Sequence, residues 1–152
     1  MSSVPYIAKP ILNARDAIAS HVRWKITLLT AARMQEALSD RATLSIQHPE
    51  QCAIRRWLLS DHTAPLRDRP EYTVALNRHI DFHREMQRIA HLLNNARYVE
   101  AESLLASGSA FEQTSLAVAN ALMSLDRAQR QQPASPKRPV GNATLSAAVP
   151  FK

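Results

Sequence analysis

The sequence predicts an all-α protein built as a small helical bundle, and three observations predict it. Among 152 residues only two are Gly, while Ala, Leu and Arg abound, a composition that favours helix over sheet. Apolar residues recur at three-, four- and seven-residue spacings through several long stretches. The nine Pro gather near the N-terminus, between positions 49 and 70, and after residue 130, so the periodic stretches run without them.

Taken in order, Ile11, Ile18, Val22, Leu29 and Ala32 form an apolar stripe with Arg15, Arg23 and Arg33 off it, which predicts an amphipathic helix from Ile11 to about Leu38. Ser39 and Asp40 loosen that helix, and His48-Pro49-Glu50 breaks the chain. A short helix carrying Cys52 to Leu59 follows. Asp61 to Pro70, with two Pro and several charges, reads as a surface loop. Glu71 opens a third helix that reaches about Leu93, its inner face holding Tyr72, Leu76, His79, Ile80, His83 and Gln87. Asn94-Asn95 is a turn, and Arg97 to Ala106 is helical again until Ser107-Gly108 interrupts it. Ser109-Ala110-Phe111-Glu112 has the form of a capping box and restarts a helix through Phe111, Val118, Leu122 and Leu125. The last stretch, PASPKRPVGNATLSAAVPFK, has four Pro and no helical period. The expected organisation is a segment 1–10, one helical domain 11–130 and a flexible tail 131–152.

Composition excludes several classes of function. No run of apolar residues is long enough to span a bilayer, and the N-terminus lacks the basic and apolar regions of a secretory signal, so a cytoplasmic protein is expected. The single Cys cannot close an internal disulfide. The net charge is +6, but residues 131–152 contain Lys137, Arg138 and Lys152 with no acid, which leaves 16 bases against 13 acids in residues 1–130. A body of that weak charge, with no basic run interleaved with aromatics, gives only weak support for nucleic-acid binding, and none is expected. No catalytic carboxylate pair, Gly-rich phosphate loop or Ser-His-Asp order is present, so an enzyme is not expected.

The chemistry-bearing residues are His21, Cys52, His79 and His83. His79 and His83 lie four apart on a predicted helix and project from the same face. His21 and Cys52 sit on the inward faces of two other predicted helices, and three His with one Cys form a donor set suited to tetrahedral Zn2+. The residues alone leave two readings open. Each could be an ordinary buried polar residue, or one shared metal could satisfy them all, since an unpartnered buried imidazole costs roughly 1–3 kcal/mol. His48, His62 and His91 fall off this pattern and are expected on the surface, Trp24, Trp57, Phe82 and Tyr72 are expected to pack the interior, and Arg55, Arg56, Arg67 and Arg69 to form a solvated face.

Three motifs carry a resemblance. His21-Val-Arg-Trp24-Lys25-x-x-Leu28, Cys52-x-x-Arg55-x-Trp57-Leu58 and His79-x-x-Phe82-His83 resemble, in the same order, the motifs of the chemoreceptor zinc-binding domain family, and Gly108-Ser109-Ala-Phe111-x-x-x-Ser115 resembles its last helix. The resemblance covers about residues 11–128, and the ligand spacing is most similar to that of zinc-inhibited diguanylate cyclases. It implies an antiparallel four-helix bundle with an additional short helix carrying the Cys ligand. It further implies Zn2+ on His21, Cys52, His79 and His83, a homodimer, and a role in bacterial chemotaxis or cyclic-di-GMP signalling. One departure stands out: the second motif is usually C-x-x-G-x-W, and Arg55 replaces its Gly, so Arg55 is expected to point to solvent or to shift the short helix. Four protein ligands leave no open coordination position, the mark of structural or regulatory zinc. The expected function is therefore a zinc- or oxidant-responsive module acting through a separate signalling protein. The alternative is a structural, zinc-stabilised dimerisation module.

Overall fold

Local sequence accounts for where four of the helices begin. In the computed structural model, which describes residues 13–131, Asn13 caps helix α1 (Ala14–Met34) by accepting the Asp16 N–H at 3.0 Å. Ser39 caps α2 (Asp40–Gln47) through the Ala42 N–H, and Ser109 caps α6 (Ala110–Arg130) through the Glu112 N–H. The long central helix α4 (Pro70–Asn94) opens on a proline, whose missing N–H is no loss in a first turn. The short helices α3 (Ala53–Leu58) and α5 (Tyr98–Leu104) complete the set, with 3-10 turns at Pro49–Gln51 and Asp61–Leu66. No strand occurs among the described residues, and the fold is all-α.

Several boundaries differ from expectation for identifiable reasons. The first helix stops at Met34 instead of running to Leu38, and Ser39 does more than loosen the chain, because its side chain starts a second helix. Cys52 stands one residue before α3, at its N-cap with an extended backbone, and the expected loop after Asp61 contains a full 3-10 turn. Gly108 breaks the chain before α6: its φ of 76° is a conformation that suits Gly. The capping box there is shifted, since the Glu112 carboxylate accepts the Gly108 N–H while the Ser109 N–H bonds the Ala106 carbonyl. The expected start at Ile11, the segment 1–10 and the tail beyond Gln131 lie outside the described residues.

Helix α4 is the hub. It packs on α6, α2, α5 and α1, and α3 also touches it. Its buried face runs through Tyr72, His79, Phe82, His83, Met86, Ile89 and Leu93, with Leu76, Ile80 and Gln87 half-buried at the margin. From α6 come Phe111, Val118, Leu122 and Leu125, all as expected. The α1 stripe is rotated from the expected one: Ala14, Ala17, His21, Leu28 and Ala32 face inward, whereas Val22 is 54% exposed and Ile18 and Leu29 are half-buried. The core of the described residues holds Phe82, Phe111, Leu28, Ile46, Ile54 and seven other large side chains, each worth about 1.5–3 kcal/mol on burial, so apolar packing alone is a strong driving force for this fold.

Two helix ends turn without glycine. Gln35 after α1 and Ala96 after α4 adopt positive φ of 55° and 58°, the left-handed geometry in which a helix commonly closes its last carbonyls.

Candidate metal centre

Four-residue spacing on α4 brings His79 and His83 together. Their rings meet edge to face, with centroids 4.6 Å apart at 68°, and both side chains are buried. Cys52 reaches them from the start of α3. Its N–H bonds the Pro49 carbonyl at 3.1 Å and its own carbonyl accepts the Arg56 N–H at 3.0 Å, so the residue is fixed between the 3-10 turn and the helix. The other end of α3 is tied down as well: the Leu58 carbonyl accepts the hydroxyls of Thr63 and of Tyr72, the latter in the first turn of α4.

These elements bring one donor atom each from Cys52, His79 and His83 to within 4.8 Å of one another, and no other His, Cys, Asp or Glu group of this kind occurs among the described residues. Ligand atoms on one tetrahedral Zn2+ lie about 3.3–3.7 Å apart, given bonds of about 2.0–2.3 Å, so the three need to close by no more than about 1.5 Å. The fourth expected ligand, His21, is beside this set and outside its compact limit. Its ring lies parallel to that of His79, centroids 5.5 Å apart, and packs at 4.2 Å on Phe82.

The hydrogen bonding is what distinguishes these histidines from ordinary core residues. Both ring nitrogens of His21, both of His79 and Nε2 of His83 are buried with no hydrogen-bond partner. Buried polar atoms are nearly always satisfied, and each exception costs about 1–3 kcal/mol, so five orphaned nitrogens in one place call for a shared ligand. Lone pairs from imidazoles and a thiolate are borderline-soft donors, which fits Zn2+.

The electrostatics make the same demand. Burial, reinforced by His83, pushes the pKa of His21 down to about 3; burial, then His83, His21 and Arg55, does the same to His79. Burial also lowers His83, against an upward pull from its bond to the Ile46 carbonyl and from Glu50. All three imidazoles are therefore neutral at pH 7, the state a metal requires. Cys52 is raised by burial, opposed by the backbone N–H groups of Ile54 and Arg55 and by the charge of Arg56. Without a cation the group is a thiol, set among donors that would favour its thiolate once a cation arrives.

Arg55 is half-buried in the first turn of a regular α3, and its charge acts on His79 and on Glu50. His62 and His91 are exposed, and His48 pairs with Glu50 at 2.9 Å. Trp57, Phe82 and Tyr72 are buried in the core, while Trp24 is only half-buried against it. Arg67 is more than a solvated charge, since it caps the Leu59 carbonyl at 2.9 Å. Sequence reasoning missed one participant, the carbonyl of Ile46 in α2, which lies 3.2 Å from Nδ1 of His83. A backbone oxygen has no residue signature, and only the tertiary fold could reveal it.

Among the described residues no helix is long and apolar enough to cross a membrane. No family model, curated protein or solved structure matches this chain.

Proposed function

We propose that the protein is a zinc-binding regulatory module, in which Cys52, His79 and His83 form the core of the site and His21 completes it as the fourth ligand. The observation that carries this reading is the convergence of a thiol from the residue that precedes α3 with five partnerless buried nitrogens from α1 and α4. The likeness of the three ligand motifs to the chemoreceptor zinc-binding family supports the same donor set. A site with four protein ligands excludes an activated water, so the reading is regulatory rather than catalytic. Its output is modulation of a bacterial signalling partner of the chemotaxis or cyclic-di-GMP kind, in a homodimeric, cytoplasmic setting.

The thiolate supplies a natural control point. Cys52 is half-buried and sits on the short arm α2–α3 rather than on α1 or α4, so oxidation of sulfur or loss of zinc acts first on that arm. A structural reading uses the same ligands only to stabilise the bundle. Pull-down of bound proteins with and without zinc separates the two: regulation requires a partner whose binding changes with metal, and a partner set indifferent to zinc leaves only the structural role. X-ray absorption at the zinc edge tests the ligand set, with one sulfur and three nitrogens expected; a coordinated water in place of His21 would defeat the four-ligand assignment and reopen a catalytic one.

A further inference from the structure

The end of α2 carries a hydrogen-bonding arrangement that the ligand set alone does not explain. Within α2 the backbone ladder ends with the His48 N–H on the Leu44 carbonyl, which leaves Ile46 in the last turn, where carbonyls need donors from elsewhere. Two side chains from α4 supply them: Nδ1 of His83 and Nε2 of Gln87 each lie 3.2 Å from the Ile46 oxygen. His83 and Gln87 are four residues apart and so share a face. Asn94, seven further on, holds the opposite end of the same element: its Oδ1 accepts the Leu38 N–H at 3.0 Å and its Nδ2 donates to Thr43 at 3.1 Å.

We propose that Ile46 and Gln87 form a clamp that fixes the tautomer of His83 and presents Nε2 as its metal-binding atom. The inference rests on the zinc reading given above and specifies how the site is set. A carbonyl oxygen can only accept, so Nδ1 must carry the proton. In a neutral imidazole Nε2 then holds the lone pair, and Nε2 is the nitrogen of His83 that is buried without a partner. Gln87 occupies the second lone pair of the same oxygen and holds it in line. The side-chain bonds of Asn94 keep α2 from drifting along α4. His79 has no such device, because neither of its nitrogens meets a hydrogen-bond partner. The two histidines of α4 thus differ in kind: the protein orients His83 before the metal arrives, and the metal orients His79. Gln87 is a positioning residue, and it makes the end of α2 part of the metal centre without contributing a ligand.

Long-range nitrogen–proton correlation spectra of the histidine-labelled full chain test this near neutral pH, first without metal and then with one equivalent of Zn2+. His83 is expected as the Nδ1–H tautomer in both states, with a slowly exchanging proton, and its Nε2 resonance is expected to shift when zinc is added. Gln87→Met keeps the side-chain stem and removes the donor. It should mix the His83 tautomers and weaken zinc binding by roughly 10-fold, while the stoichiometry at saturating metal stays that of the wild type. An Nε2–H tautomer in the wild type overturns the clamp, as does a Gln87→Met protein with wild-type spectrum and affinity. The wild-type spectrum decides the matter alone if that variant does not fold. Failure of the wild type to take up zinc overturns the metal reading and the ligand role of Nε2, whereas the tautomer in the metal-free protein separately reports whether the clamp exists.

Discussion

His79 and His83 face each other across one turn of α4, ring centroids 4.6 Å apart, and His83 adds to the burial that keeps His79 from holding a proton, because two charged imidazoles cannot share that space. Such a pair is poised for a cation other than a proton. His79→Ala or His83→Ala should lower zinc affinity by more than the roughly 10- to 100-fold that loss of an orienting partner brings, since each deletes a ligand. Metal analysis of the purified variants checks this, and full zinc content in both would remove α4 from the site.

The zinc-free protein should be acid-sensitive in a defined direction. His21 and His79 have folded pKa values of about 3, below the 6.5 of a free histidine, so in that window the unfolded chain binds more protons than the folded one. Stability contributed by keeping these rings neutral is complete above about pH 6.5 and is lost as pH falls towards 3, by up to about 1.4 kcal/mol per pH unit for each histidine. Urea unfolding of chelator-treated protein across that range measures the slope. His79→Phe, which cannot take up a proton, should flatten it, and an unchanged slope would show that the ring is not buried neutral.

Removal of Cys52 should act locally. The apolar core spans α1, α4 and α6, so a Cys52→Ala protein is expected to stay folded, with His21, His79 and His83 still holding zinc and a water replacing sulfur. Hydrogen exchange should quicken over about residues 50–60 and remain slow from Ile18 to Leu29 and from Leu76 to Ala90. Mild peroxide on the wild type should copy the effect. Global loss of protection would instead favour metal-coupled folding and the structural role.

A second copy of the chain is the expected cover for the outer face of α1. Val22 and Ile26, one turn apart, are 54% and 61% exposed, and exposed apolar pairs on a long helix favour association. Light scattering at tens of micromolar should report a symmetric dimer, and Val22→Asp with Ile26→Asp should return it to monomer. A monomeric wild type would exclude zinc control through subunit geometry.

The sequence shows the helices more clearly than their orientation. Ser109 marks a start by simple chemistry, and proline and glycine mark the interruptions, whereas Pro70, read as the end of a loop, is the first residue of α4. Ser39 was harder to read because a short polar side chain that interrupts one apolar stripe is also the chemistry that caps a new helix. The error in the α1 stripe arises from His21: counting only apolar residues makes Val22 an inward position, whereas the buried ring at 21 rotates the inward face by one residue. A buried polar residue is invisible to apolar periodicity. Spacing was enough to pair His79 with His83, and motif order was enough to bring in Cys52, but how near His21 stands depends on how α1 lies against α4. The Ile46 oxygen could not be read at all.

Gln35 and Ala96 have a consequence for engineering. In the left-handed region a side chain costs about 1–2 kcal/mol that glycine does not, partly offset by the greater freedom glycine gives the unfolded chain. Each position lies about 20 Å along its helix from the histidine it follows, His21 on α1 and His83 on α4. Gln35→Gly and Ala96→Gly should therefore harden the scaffold without altering the donors. They give a dial for folding that is separate from the dial for metal, so that the fraction of chain kept folded by zinc can be set independently of how tightly zinc is held.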